Sequence, residues 1–194
     1  MYVTDINHFE GLESIADPPR PAVLLAEHLR RIIAAATAHA SPGEHATALP
    51  CRKRPGRKPC PGRLVVRRQD LPEEIAWGCP VCAATTGEEG YISGWRGSLY
   101  DLSKSAQVHK DEAVISVVVP DDAYRLLIGN TVFDLDCECV IYAARPHEHG
   151  AELVMTEADC EELAGFVAFE ANHSDNRRLQ RRWDEIFELL NRAL

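Results

Sequence analysis

The sequence lacks the hydrophobic segments that would mark a membrane or secreted protein. Its 194 residues contain no apolar run of the length that a bilayer-spanning helix needs. The first residues, MYVTDINHFEGLES, include acidic side chains and no hydrophobic signal core. We therefore expect a cytoplasmic protein with no membrane partner. Apolar residues still make up 45% of the chain, which is enough for a packed core.

The chain also lacks the short motifs of several large enzyme classes. No GxSxG, HExxH or phosphate-binding glycine loop is present. Three polar residues, Glu170, Asn172 and His173, lie together near a predicted helix end. Asparagine and histidine are common there for structural reasons, since they favour the turn and the helix dipole. We therefore expect a protein that is not an enzyme.

The cysteines carry the strongest chemical signal. Seven thiols are an odd number, which favours reduced, metal-binding cysteines over a disulfide framework. CPVC at 79–82 allows two thiolates to reach one metal ion while backbone N–H groups bond to the sulfurs. A second pair of cysteines precedes it. The sequence predicts one structural Zn²⁺ ion, bound by Cys51, Cys60, Cys79 and Cys82.

The first cysteine pair has an unusually wide spacing. Eight residues separate Cys51 from Cys60, whereas zinc knuckles commonly use two to four. His45 or His39 could therefore replace Cys51 as the fourth ligand. Unbound thiols and a redox-active CPVC are the alternatives to zinc. A redox motif normally opens a helix after a strand, whereas this one runs into the turn-like stretch AATTGEEG.

A cationic loop lies beside these cysteines. Residues 51–68 contain eight basic residues and no acidic one, which leaves 13 basic against 30 acidic side chains elsewhere, a net charge of −17. This asymmetry predicts contact with an anionic partner, either nucleic acid or an acidic protein surface. The predicted contact residues are Arg52, Lys53, Arg54, Arg57, Lys58, Arg63, Arg67 and Arg68.

Nearby aromatic residues and a second basic cluster could extend such a surface. Trp77, Tyr91 and Trp95 could stack on bases, although we favour a role in the core of a small metal-stabilised module. The arginines of the second cluster could bind phosphates or, as is commoner, pair with the protein's own acidic side chains. This cluster consists of Arg177, Arg178, Arg181 and Arg182.

A second group of cysteines and histidines lies farther along the chain. A strand is predicted over 137–146, in a hairpin with 151–156, and residues two apart in a strand share a face. A second metal site is the less favoured interpretation, because no tight chelating loop joins the residues. The four potential ligands are Cys137, Cys139, His147 and His149.

Hydrophobic periodicity outlines the remaining elements. Strands are predicted at 63–68, 73–77, 91–95 and 113–119. Helices are predicted at 22–39, 120–130, from 156 onward and at 175–193. The helix from Thr156 begins with a capping box to Asp159 and carries Cys160 on its apolar stripe, which predicts a core position for this thiol. The last two helices are expected to pair and to cover a small sheet.

Residues from about 48 to 105 resemble the zinc-ribbon modules of small bacterial proteins. The resemblance is carried by CPG at 60–62, W-x-C-x-x-C at 77–82, and G-x-I-x-x-W at 90–95. It implies short β-hairpins that hold a metal, and a face that often binds nucleic acid, but no particular activity.

We therefore predict an α+β fold with a zinc-ribbon-like β module and a small α/β part that ends in a helical hairpin. The predicted segments are a lead-in and helix at 1–47, the zinc-ribbon-like module at 48–105 and the α+β domain at 106–194. The predicted function is non-enzymatic zinc binding, with regulatory nucleic-acid binding through the basic loop. The alternative is a zinc-stabilised scaffold for protein–protein interaction.

Overall fold

The computed structural model describes residues 2–9, 11–82, 90–107, 113–130 and 133–194. In these ranges the chain is α+β, as predicted. Its strands are β1 (Tyr2–Asp5), β2 (Gly43–Pro50), β3 (Arg63–Asp70), β4 (Glu73–Gly78), β5 (Gly90–Ser93), β6 (Ile115–Val119), β7 (Arg145–His147) and β8 (Gly150–Met155). Its helices are α1 (Arg20–Thr37), α2 (Asp121–Leu127), α3 (Leu135–Tyr142), α4 (Glu157–His173) and α5 (Arg177–Asn191), besides short 3₁₀ segments and a helical turn at 80–82.

Five strands form the first sheet, in the order β1-β5-β4-β3-β2. The β1–β5 pair is parallel and the other pairs are antiparallel. Helix α1 packs against this sheet through a stripe that includes Leu29, Ile32 and Ala36, all of which are buried. The stripe follows the helical repeat, and Pro21 in the first turn suits a helix start because its missing N–H is not needed there.

Three strands form the second sheet, in the order β6-β8-β7, next to the paired helices α4 and α5. The predicted capping box is confirmed: Asp159 N–H donates to Thr156 Oγ1 (3.1 Å), and Thr156 N–H donates to the Asp159 carboxylate (3.0 Å). Cys160 is fully buried on the α4 stripe. The helical pairing thus follows from two apolar stripes that face each other.

The strand predicted at 137–146 is wrong. Residues 135–142 form helix α3, and the strand β7 is confined to three residues before the turn into β8. Asp134 caps α3 by accepting a hydrogen bond from Cys137 N–H (2.8 Å). The buried residues Cys137, Val140 and Ile141 recur at helical spacing, so the cap and this period outweigh the β-forming composition.

One hydrophobic cluster runs through both sheets and includes Ile75 of the first and Leu153 of the second. A backbone bond from Ala48 N–H to the Ala144 carbonyl (3.0 Å) ties β2 to the end of α3. None of the described helices combines the length and the apolar composition that a bilayer-spanning segment requires. The Ala48 bond joins the β2 edge of the first sheet to the second part of the chain, and the end of the β2–β3 hairpin carries Cys51 and Cys60.

Candidate metal centre

The β2–β3 hairpin explains the wide spacing of the first two cysteines. Pro50 lies opposite Arg63, and the pairing continues beyond the strands through Cys51 N–H to the Gly62 carbonyl (2.8 Å) and Cys60 N–H to the Lys53 carbonyl (3.0 Å). The residues between the cysteines therefore form the closed end of a hairpin. Both thiols emerge at the same end of the sheet, although eight residues separate them.

The CPVC motif reaches the same place from the next strand. β4 pairs with β3 so that Gly78 lies opposite Val65, and Cys79 follows directly. Residues 80–82 begin a helical turn, whereas the predicted turn-like stretch lies mostly at 83–89, outside the described residues. A helical start alone would also suit a redox motif. The sulfurs of Cys51 and Cys60 also approach CPVC, and this distinguishes the site from a redox motif.

The four sulfurs form a compact cluster. All of them lie within 4.8 Å of one another, and all four cysteines are buried. The Cys51–Cys82 and Cys60–Cys79 sulfur distances are 3.7 and 3.8 Å, and Cys60–Cys82 is 3.2 Å. Four thiolates about 2.3 Å from a tetrahedral zinc ion lie about 3.8 Å from one another. The cluster could hold a metal ion with only small adjustments.

Backbone N–H groups point at two of the sulfurs. Lys53 N–H donates to Cys51 Sγ (3.5 Å) and Gly62 N–H donates to Cys60 Sγ (3.3 Å). The Gly62 bond is the main reason that the pKa of Cys60 is lowered, whereas the hydrogen bond to Cys60, together with burial, raises the pKa of Cys82 to about 12. Thiols so close together cannot all ionise unless a cation replaces their protons.

Gly62 is required by the close approach of the two knuckles. A Cβ atom at this position would lie 2.5 Å from Cys79 Sγ and 2.9 Å from a methyl carbon of Val81. Any side chain would therefore separate the hairpin end from the CPVC turn. The residue identity at 62 is fixed by the sulfur cluster rather than by the backbone conformation.

The two histidines considered as substitutes for Cys51 lie at the opposite end of the hairpin. His45 pairs with Val66 in the ladder, and its ring stacks on His39 with 3.8 Å between the centroids. Burial, with contributions from His45 and nearby arginines, lowers the pKa of His39 to about 4. Cys51, and neither histidine, completes the four-ligand group among the described residues.

Four cations of the loop are exposed. Arg52 donates to the Leu24 carbonyl (2.7 Å), and Arg54 donates to the Arg57 carbonyl (3.3 Å), which fixes the loop on itself. Lys58 is also exposed, while Lys53 is half-buried. In the part of the chain that the structure describes, none of the four exposed cations forms an ion pair with an acidic side chain.

Two of the predicted contact arginines serve the interior instead. Arg63 donates to the Ala48 (2.6 Å) and Gly150 (2.9 Å) carbonyls and pairs with Asp121. Arg68 is 4% exposed and donates to the His39 carbonyl (3.0 Å), near the end of α1. Arg67 is exposed on the sheet face away from α1. Of the eight predicted contact residues, the exposed ones therefore lie mainly in the loop.

The aromatic residues divide between core and partial exposure. Trp95 is wholly buried, in agreement with the core interpretation. Trp77 is half-buried, packs over Gly90 and meets the ring of His28 edge to face at 5.3 Å. A cleft of about 310 Å³ extends from this pair, beneath α1, to Cys51 and Cys79. Tyr91 is half-buried on the other face of the sheet.

The second cysteine–histidine group is not brought together in the described residues. Cys137 faces Asp134 and Glu162, whereas the Cys139 thiol lies 3.7 Å from the Leu102 carbonyl. Residues two apart on a helix point to nearly opposite sides, and the two thiols diverge for this reason. Of the remaining potential ligands, His147 ends β7 and His149 lies in the turn to β8, with ring centroids 5.6 Å apart.

The polar clusters of the C-terminal helices have structural contacts. The His173 ring nitrogen Nδ1 bonds to the Phe169 carbonyl (2.8 Å), as expected for a helix end. Arg182 donates to the Asp122 carbonyl (2.6 Å) and so joins α5 to α2. The other arginines of the second basic cluster are exposed.

No family model, no curated protein and no solved structure matches this chain.

Proposed function

We propose that this chain is a non-enzymatic zinc protein whose four-cysteine centre presents a cationic loop to the phosphates of a nucleic acid. The observation that carries the proposal is the convergence of Cys51, Cys60, Cys79 and Cys82 at the base of that loop. The same convergence supports the resemblance of this region to a zinc ribbon.

The donor set favours zinc in a structural role. Four cysteine sulfurs in a tetrahedral arrangement are the preferred ligands of structural Zn²⁺, and they leave no open coordination position for a substrate. The sulfurs are buried, and the N–H groups of Lys53 and Gly62 bond to two of them, as zinc knuckles require. The expected content is one zinc ion per chain, measured by elemental analysis of the purified protein.

The loop is held at both ends by the metal ligands. Three of its four exposed cations, Arg54, Arg57 and Lys58, lie near its tip and have no acidic partner in the described residues. Cations of this kind bind phosphates and release counterions, so that affinity falls steeply with salt. Because the bound metal fixes the loop ends, little ordering entropy is lost on contact.

The test is binding of a labelled duplex and a labelled single strand at a series of salt concentrations. The triple variant Arg54→Glu, Arg57→Glu, Lys58→Glu should abolish binding at moderate salt. A plot of the logarithm of the binding constant against the logarithm of salt concentration has a slope of about −0.9 for each duplex phosphate that the protein neutralises. Replacing the same three cations with alanine should therefore make this slope less steep by about two to three.

The matched control carries the same charge change on α5, as Arg177→Glu, Arg178→Glu and Arg181→Glu. This control should keep most of its affinity. Equal losses in both variants would mean that net charge, and not the loop, governs binding, and the absence of binding by the zinc-loaded protein at low salt would overturn nucleic-acid recognition.

A second candidate is a zinc-stabilised scaffold whose loop docks on an acidic protein. The net charge of −17 outside residues 51–68 favours it, because such a surface repels nucleic acid. The two proposals differ in the binding test, since the scaffold predicts no nucleic-acid affinity even at low salt. Both require the zinc centre.

A further inference from the structure

A separate cavity lies where α1 meets α3, in a different region from the metal centre. Its volume is about 380 Å³, which is in the range of small-molecule sites. Helix α1, the segment at Tyr100, the residues after α2 and helix α3 each supply part of its wall. The polar and aromatic side chains of the lining are Glu27, Arg30, Arg31, Tyr100, Asn130, Glu138 and Tyr142.

Two guanidinium groups enter this cavity from one helix. Arg30 lies over the ring of Tyr100, 4.8 Å from its centroid, and Arg31 lies close enough to the Tyr142 hydroxyl to lower the pKa of that phenol, although burial raises it overall. Both arginines are half-buried. Within the described ranges Arg31 forms no ion pair within 4.0 Å, although Glu27 lines the same cavity one helical turn before it. A guanidinium in such surroundings is complementary to a phosphate or carboxylate.

A carboxyl group and an amide are also present in the wall. Glu138 is half-buried, and burial, with a smaller contribution from Asp134, raises its pKa. It has no ion-pair partner among the described residues. Together with Asn130, Glu138 offers hydrogen-bond acceptors of the type that binds ligand hydroxyl groups. The rings of Tyr100 and Tyr142 add flat apolar surfaces at the same cavity.

We propose that this cavity binds a small organic anion with a phosphate or carboxylate head and a hydroxyl-bearing body. The head lies against Arg30 and Arg31, the hydroxyl groups meet Glu138 and Asn130, and the tyrosine rings flank the body. Such a site is independent of the nucleic-acid surface, because none of these residues lies in the basic loop or contacts the four sulfurs.

Calorimetric titration of the zinc-loaded full chain tests the site, with ribose 5-phosphate and gluconate as the two anionic probes. Neutral ribose and inorganic phosphate are the controls for body and head. The proposal is supported if either anion binds saturably and more tightly than inorganic phosphate, while ribose does not bind. The anion that binds then identifies the head group. The proposal is overturned if neither anion binds at millimolar concentration, or if ribose binds equally well.

Variants then locate the binding. Arg31→Gln should lower the affinity for the anion by about tenfold or more, because a hydrogen bond to a charged group is lost. Glu138→Gln should lower this affinity by a smaller factor. The matched change Arg178→Gln, on an exposed face of α5, should have no effect. The double variant Arg54→Gln, Arg57→Gln should also bind normally, and a loss there would place the anion on the loop and refute the cavity.

A measurement on the unaltered protein keeps the test decisive if Arg31→Gln does not fold. The ring resonances of Tyr100 and Tyr142 should shift with the same saturation curve as the calorimetric signal. Shifts confined to residues of the basic loop would contradict the proposal.

Discussion

The two cysteine-rich regions use the same side chains and reach opposite outcomes. Cys51, Cys60, Cys79 and Cys82 leave three different strand ends and turn inward to one point. Cys137 and Cys139 are closer in sequence than any pair of the first group, yet they lie on different sides of α3. Closeness in sequence therefore does not bring two thiols together unless the helix, strand or turn that carries them points them to the same side.

The difference shows which local structure allows a pair of cysteines to bind a metal ion. A turn whose N–H groups point at the sulfur compensates the charge of a thiolate, as at Gly62. On α3, burial and the acidic residues Asp134 and Asp136 disfavour the charge and raise the pKa of both thiols, to about 12 for Cys139. The first region has the geometry to hold a cation, whereas the thiols of the second are part of the core.

The largest expected effect is the loss of one ligand of the cluster. Cys79→Ala should abolish stoichiometric zinc binding and lower the free energy of unfolding by more than about 4 kcal/mol, because metal binding contributes to folding. Zinc content and thermal unfolding measure both. Cys137→Ala should keep its zinc and lose only about 1 kcal/mol through a small cavity. Equal zinc loss in the two variants would erase the distinction between the regions.

A change that leaves all four sulfurs in place sharpens the comparison. Gly62→Ala inserts a methyl group against Cys79 Sγ and should weaken zinc binding by about 2–3 kcal/mol, measured by competition with a chelator. The control is Gly165→Ala on α4, where no atom lies within 4 Å of the added Cβ. This control should be more stable by about 0.5–1 kcal/mol. Unchanged zinc affinity in Gly62→Ala would contradict the close approach of the knuckles.

The C-terminal part should respond to ordinary helix capping. Thr156→Ala removes the acceptor of Asp159 N–H and should lower the free energy of unfolding by about 1 kcal/mol, with zinc content unchanged. Denaturant unfolding measures the stability of the zinc-loaded protein. Thr156→Ser, which keeps a hydroxyl, is the matched control. Zinc release by the alanine variant would show that the two parts are more tightly coupled than their contacts indicate.

The smallest expected effect concerns the histidine end of the β2–β3 hairpin. Above pH 6.5 His39 is neutral in both the folded and the unfolded chain. As the pH falls from 6.5 toward 4, the unfolded chain takes up the proton first, so the free energy of unfolding decreases. His39→Gln should flatten this decrease by less than about 1 kcal/mol, since solvent screens the partly exposed ring. Urea titrations at several pH values measure the free energy of unfolding, with zinc content followed in parallel. If the prediction is wrong, this free energy will depend on pH in the same way in His39→Gln and in the unaltered protein.

The sequence predicts the identity of the four clustered cysteines but not the reason for Cys51. The CPVC spacing is local and can be recognised directly. The contribution of Cys51 depends on backbone pairing that continues past Pro50 to Gly62, and strand register between distant residues leaves no mark in a short motif.

Other features depend on competition between signals. At 135–142 the residues Cys137, Val140 and Ile141 suit a strand by composition and a helix by spacing, and the cap at Asp134 tips the balance. Arg63 and Arg68 are indistinguishable in sequence from the exposed loop cations, because only tertiary contacts show which arginines turn inward.

Arg63 connects the cysteine-bearing end of the β2–β3 hairpin to the second sheet and to α2. It follows the Cys60-Pro-Gly knuckle directly, and its single guanidinium joins β2, the start of β8 and the first turn of α2. A displacement of the hairpin end would be transmitted to the second sheet through the bond to the Gly150 carbonyl and to α2 through the pair with Asp121. A metal ion bound by the four cysteines would thus affect the rigidity of a region that contributes no ligand to it.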